Sequence, residues 1–178
     1  MKKIDPRRLV SLDESSVNLA YSRLYGRALT TERVKEGQVD VRFERESILS
    51  TIRLSGSMVP IVFKGTLNRF LFAEYIKTQL KPTLAEDDIL LLDNSSVHTS
   101  KLVKDTLRDC DINYMYLPRY SPDFNPIELL WALMKSYLRK AKARTRDKLD
   151  DAIKHVLDSV PLLFIEHWFF HCGYVASL

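Results

Sequence analysis

The chain has 178 residues, 46% hydrophobic and 28% charged, which excludes wholesale disorder and leaves enough apolar material for a buried core. Its 27 Lys and Arg against 23 Asp and Glu give a formal net charge of +4, a mild basic excess that fits an anionic partner without requiring one. Five glycines and seven prolines are too few for a fibrous or linker-rich chain.

Residues 8–13 read as a short strand with Val10 and Leu12 inside, stopped by Asp13-Glu14-Ser15-Ser16. In residues 17–38 only Gly26-Arg27 and Gly37-Gln38 stand out, as turns. Residues 39–43 alternate apolar and polar like a half-buried strand, and residues 47–54 and 60–64 predict two more. Leu67, Phe70, Leu71, Tyr75 and Leu80 recur at helical spacing up to Pro82. Ile89-Leu90-Leu91-Leu92 is a continuous apolar run, as a strand covered on both faces requires. A helix over 101–110, a strand over 113–117 and a Pro-rich loop over 118–125 follow. Pro126 opens a helix with a stripe of Ile127, Leu130, Trp131, Met134 and Leu138. Residues 147–159 predict a further amphipathic helix, and the aromatic tail 161–174 is expected to pack on the body. Strands followed by alternating helices and strands imply an α/β fold with a mixed sheet, in a single domain over 1–178.

Cys110 and Cys172 cannot build a disulfide framework, so both are expected to be reduced, in a cytoplasmic protein. No apolar run approaches the ~20 residues of a membrane helix, and the basic start lacks the apolar stretch of a signal peptide. No Gly-rich phosphate loop and no nucleophile elbow is present.

Three acids carry the chemistry. Asp13 is expected to end the first strand, Asp93 ends the central one, and Glu128 lies in the first turn of the helix after the loop. Sites in α/β sheets form at the carboxyl ends of strands, so the three can converge. Converging carboxylates call for a cation, and oxygen-only ligands suit Mg²⁺ or Mn²⁺. Two such ions ~4 Å apart clamp the attacking and leaving oxygens of a phosphoryl transfer. Each acid also has an ordinary reading: a turn at Asp13, a turn at Asp93-Asn94-Ser95-Ser96, and a capping box from Asn125 to Glu128.

The combination is more telling than its parts. The stretch Leu90-Leu91-Leu92-Asp93-Asn94-Ser95-Ser96-Val97-His98, then Leu117-Pro118-Arg119-Tyr120-Ser121-Pro122-Asp123-Phe124-Asn125-Pro126-Ile127-Glu128, closely resembles the DDE transposases of the mariner superfamily. The nearest branch resembles the bacterial insertion-sequence enzymes, whose spacing is matched by the 34 residues between Asp93 and Glu128. Leu12-Asp13-Glu14-Ser15 and Trp168-Phe169-Phe170-His171-Cys172-Gly173-Tyr174 extend the likeness over nearly the whole chain. The resemblance implies a ribonuclease H-like fold, with Asp13, Asp93 and Glu128 as catalytic metal ligands. It implies hydrolysis of double-stranded DNA at transposon ends, then joining of the freed 3′ hydroxyl to target DNA, typically at TA. A homodimer handling two ends and a nucleoid-associated bacterial location go with it. Relatives carry an N-terminal helix-turn-helix region. Here the first strand begins about eight residues from Met1, so that region is expected to be absent, or supplied by a separate chain. Thr99 and Arg119 stand where Lys and Pro are common in the family.

Further residues have two readings each. The run 135–148 holds seven basic residues and one acid. If the helix continues, Lys135, Arg139, Lys142 and Arg146 share a face that, with Lys140 and Arg144, binds DNA phosphates; a solvated helix end is the ordinary reading. Asn94 and His98 follow the second aspartate and fit a supporting place behind the metal ligands, or plain capping. His167, His171 and Cys172 lack a metal-site order and are read as packing residues. Two rivals share these residues: a non-catalytic DNA-binding or oligomerisation remnant, and a metal-dependent nuclease without strand transfer.

Overall fold

The computed structural model describes residues 4–17 and 46–174. The expected turns at Gly26-Arg27 and Gly37-Gln38 and the strand over 39–43 lie outside the described residues. Five strands form one mixed sheet: β1 (Leu9–Val17), β2 (Glu46–Arg53), β3 (Ile61–Lys64), β4 (Ile89–Leu92) and β5 (Asn113–Tyr116), in the order β3-β2-β1-β4-β5. The first three pair antiparallel, while β1–β4 and β4–β5 run parallel.

Strand alternation divides the core in two. Leu9 and Val17 of β1, Ile48 and Ile52 of β2, and Leu91 of β4 face one side. There they meet α3 (Pro126–Ala141), α4 (Arg146–Ser159) and α5 (Leu162–His171). Val10, Leu12, Leu49, Leu90 and Leu92 face the other side. That side is covered by α1 (Arg69–Tyr75, running on as a π turn over Ile76–Leu80) and α2 (Lys101–Asp109). The unbroken apolar run of β4 follows from being covered on both faces.

The first strand is longer than expected. Polar Glu14, Ser15 and Ser16 do not stop it, because β2 supplies an antiparallel partner as far as Val17 opposite Glu46. Asp13 therefore sits within β1, opposite Ser50, and not at its end. Its pairing with β4, by contrast, reaches only Ser11 opposite Leu91. Asp13 thus lies where β4 stops and β1 carries on, and the same register, extended, brings Asp13 level with Asp93.

In α1, Asn68 caps the start by accepting from the amides of Phe70 and Leu71 at 3.0 Å. Phe72 and Ile76 fill the core, while Phe70 turns outward beneath the Arg69 guanidinium. The expected stripe of α3 is buried throughout. That helix ends at Ala141, with Lys142 in the left-handed region at φ 51°. Arg146 opens α4 instead, after the N-cap Thr145. The expectation that Lys135, Arg139, Lys142 and Arg146 share one helical face is therefore corrected: the run is split between two helices and the turn joining them. The tail packs only in part, with Ile165 and Phe169 buried but Phe164 and Phe170 about half-exposed.

Candidate active site

β1 presents Asp13 and Glu14 to opposite faces of the sheet, as consecutive strand residues must be. Asp13 faces α3, where its Oδ2 accepts from Trp131 Nε1 at 3.1 Å. Trp131 lies three residues after Glu128, one turn along the same helix face, so one helix supplies both the third acid and a donor to the first. Trp131→Phe keeps the ring bulk but removes the donor. We expect a loss of about 1 kcal/mol in urea unfolding, and a further upward shift of the Asp13 carboxyl by NMR titration.

Asp93, just past β4, is held by two donors on one oxygen. Its Oδ1 accepts from Ser95 N at 2.9 Å and faces His98 Nδ1 at 2.5 Å. The other ring nitrogen of His98 lies 3.4 Å from Glu14 Oε2. His98 is fully buried, with its ring 4.6 Å from Phe72, and its carbonyl accepts from Tyr116 Oη. Burial alone would depress this imidazole, but Asp93 and Glu14 outweigh it and lift its pKa to about 9. His98 is therefore an imidazolium locked between two carboxylates. It can reach no phosphate; it orients Asp93. Asn94 spans to the next strand, its Nδ2 donating to Leu117 O at 2.5 Å, and so fastens the ends of β4 and β5 together.

Glu128 stands at N3 of α3. The expected capping box does not form. Asn125 Oδ1 accepts from Ser11 Oγ at 2.5 Å, and Ser11 Oγ accepts from the Ile127 amide at 3.3 Å. This buried link ties the start of α3 to β1 beside Asp13. Among the described residues the Glu128 carboxylate makes no hydrogen bond, and it lines a groove of about 530 Å³ with Asp93. It also lines a second cleft of about 330 Å³ with Glu14 and Lys135.

The three acids feel one another. Burial first, then the charges of Glu128, Glu14 and Asp93, push the Asp13 carboxyl up to about 8. Burial also raises Glu128, with Lys135 opposing and Asp93 and Glu14 adding to the rise. Asp93 goes the other way: burial is outweighed by the bonds from His98 and Ser95, which hold it below its ordinary value. Burial and neighbouring negative charge together hold the proton on Asp13, and a cation placed among these acids would be favoured. The donors are all carboxylate oxygens, which fit a hard divalent ion. Among the described residues no group of three His, Cys, Asp or Glu side chains holds an ion unaided, so ligation calls for the repelling carboxylates to be drawn closer.

The basic candidates disperse. Arg146 lies 3.5 Å from the buried Glu46 and 3.8 Å from Asp150, so its charge is engaged within the protein. Lys135 faces the acids, Lys140 is exposed on α3, and Arg139, Lys142 and Arg144 also have partners in the chain. Cys172 is buried, and burial first, then the charge of Asp123, pushes its thiol up to about 11. Glu14, Ser11 and Trp131 were missed as site residues in the sequence. The usable signals were strand alternation for Glu14 and the three-residue spacing from Glu128 for Trp131.

A family model described as DDE superfamily endonuclease matches residues 8–150, a span containing all three acids. The chain belongs to the DDE superfamily endonucleases. The Tcb2 transposase of Caenorhabditis briggsae is 26% identical over 145 residues, covering 72% of this chain and 53% of that protein. The Tc1 transposase of Caenorhabditis elegans is 25% identical over 116 residues, covering 62% of this chain and 42% of that one. The catalytic domain of Mos1 mariner transposase superposes with a TM-score of 0.70 at 18% identity, covering 94% of this chain and 78% of the other. The Mos1 strand transfer complex gives 0.77 at 18% identity, covering 93% and 51%. The fold of this DDE endonuclease chain is thus the ribonuclease H-like one that the sequence implies. The chain spans about half the length of the curated relatives it matches.

Proposed function

We propose that this chain is the catalytic domain of a transposase that cuts double-stranded DNA at transposon ends and transfers the freed 3′ hydroxyl into target DNA. The observation that carries the reading is that Asp93 and Glu128 line one groove while Asp13 is bonded to Trp131, one turn along α3 from Glu128, within a DDE endonuclease fold. Mos1 complexes described as paired-end, strand transfer, with Mg and with Mn support DNA and a divalent ion for this chain too.

Asp13, Asp93 and Glu128 would hold Mg²⁺ or Mn²⁺, as two ions. When bound, these would supply Lewis acidity to the attacking and leaving oxygens. The protein's own work is positional. His98 fixes the orientation of Asp93, Trp131 that of Asp13, and the Ser11–Asn125 link sets where α3 delivers Glu128. Lys135 and Lys140 are the best placed of the basic run to meet phosphate beside the acids, with Arg139, Lys142 and Arg144 adding charge around the end of α3. A homodimer and the bacterial insertion-sequence branch complete the proposal. The branch rests on the Tyr120–Glu128 string and its spacing from Asp93.

Calorimetry with Mn²⁺ in the presence of duplex DNA tests the site. Asp93→Ala and Glu128→Ala, folded by circular dichroism, are expected to weaken binding at least about tenfold each, since each removes a charged ligand. A wild type that binds no ion at millimolar Mn²⁺, yet binds DNA with a steep salt dependence, would be the non-catalytic module instead.

A further inference from the structure

We propose that Tyr120 is a stacking platform for a single unpaired nucleobase at the end of the DNA strand held in the active-site groove. The inference rests on the DNA-cutting reading above and assigns that site a second recognition element.

Tyr120 is 99% exposed, although tyrosine is a residue that proteins ordinarily cover at least in part. Its backbone adopts φ 59°, an uncommon conformation for a residue with a side chain. The loop that presents it is fastened on both sides. Leu117 N donates to Leu92 O at 2.8 Å, and Leu117 O accepts from Asn94. Beyond it, Asn125 N donates to Pro122 O at 2.8 Å, the Asn125 side chain is bound to Ser11, and Tyr174 Oη donates to Phe124 O at 2.7 Å. Ser121 Oγ closes back onto Arg119 O at 3.3 Å. An exposed aromatic on an anchored loop loses little freedom on binding, which favours it as a contact surface.

What it would contact follows from its surroundings. Tyr120 and Arg119 line the same groove, of about 530 Å³, as Asp93 and Glu128. That volume lies within the ~300–1,000 Å³ of small-ligand clefts and suits one nucleotide rather than a duplex. One wall is a guanidinium, which takes phosphate or stacks on a base; one is a phenol ring; the floor is the proposed metal site. Every base has a face to offer such a ring, so the contact would be sequence-tolerant. A base at a cut 3′ end has one face open, whereas a base inside a duplex has none.

The test uses a duplex ending in one unpaired 3′ 2-aminopurine nucleotide beside the same duplex made blunt, with Ca²⁺ replacing Mg²⁺. Wild type is expected to bind the unpaired-end probe about tenfold more tightly than the blunt one, and to quench its fluorescence. Tyr120→Ala should bring that ratio close to one and abolish the quenching, while Tyr120→Trp should keep both. Removing an exposed ring takes away no packing, so the variant folds. A Tyr120→Ala protein that keeps ratio and quenching overturns the platform. So does a wild type that binds both probes equally with bright 2-aminopurine, leaving the DNA reading intact. A wild type that binds neither probe overturns the DNA reading and the platform with it.

Discussion

Asp13→Asn is expected to make the metal-free protein more stable while reducing metal-dependent nicking by at least ~10³-fold, since several kcal/mol of charge stabilisation depends on the ion this carboxylate helps to hold. Asp13 is nearly fully buried among three other acids, and its carboxyl is raised to about 8. A group whose folded pKa exceeds its unfolded one holds its proton more tightly in the native state. Its contribution to stability is fully present below about pH 4 and is lost as pH rises through about 8. At neutral pH the cost to wild type is on the order of 4 kcal/mol, or about 10 °C in melting temperature for a chain of this size. Asparagine is uncharged and can still accept from Trp131. Melting curves in chelator from pH 5 to 9 should therefore show wild type losing stability with rising pH relative to the variant. Added Mn²⁺ should stabilise wild type increasingly toward pH 8, as the ion displaces the proton, and leave the variant unmoved. A variant that melts below wild type at pH 7 in chelator, with no pH-dependent gap, would contradict the electrostatic picture of the site.

The sequence made some of this legible and hid the rest for identifiable reasons. β4 was readable because four consecutive apolar residues bounded by acids have few alternatives to a doubly covered strand. The buried stripe of α3 was readable because 3.6-residue periodicity and Pro126 agree. The far end of α3 was not, because the usual stop is Gly or Asn in the left-handed position and here Lys142 takes it. The basic run then looked like one continuous face. The length of β1 was hidden because Glu14, Ser15 and Ser16 read locally as a turn, whereas their extended conformation is imposed by β2 more than thirty residues away. The triad's acids were individually indistinguishable from turn and cap residues. What separates Glu128 from a cap is Ser11's claim on Asn125, a contact across 114 positions that no local pattern carries.

His98→Ala is expected to destabilise the protein on the order of 3 kcal/mol, the largest loss of stability from any single change at this site. The imidazolium is buried between Asp93 and Glu14 and packs on Phe72, so its removal leaves two partly exposed carboxylates without their shared cation and opens a cavity. The pH dependence tells the ionic part from the cavity. His98 is raised to about 9, so its stabilisation is complete below about pH 6.5 and fades as pH rises through 9. The gap between wild type and variant in urea unfolding should be widest at pH 6 and shrink above pH 9, leaving only the cavity term. The role in orienting Asp93 predicts a second, independent signature. Without His98, Asp93 loses the partner that holds its carboxyl down, so the acidic limb of the nicking pH profile should move to higher pH. Glu14→Gln should reproduce a weaker version of the stability change with a smaller movement of that limb, because it leaves the 2.5 Å contact between His98 and Asp93 in place. A stability gap that stays constant from pH 6 to 10 would mean that His98 acts by packing alone, and that Asp93 is oriented by the Ser95 amide.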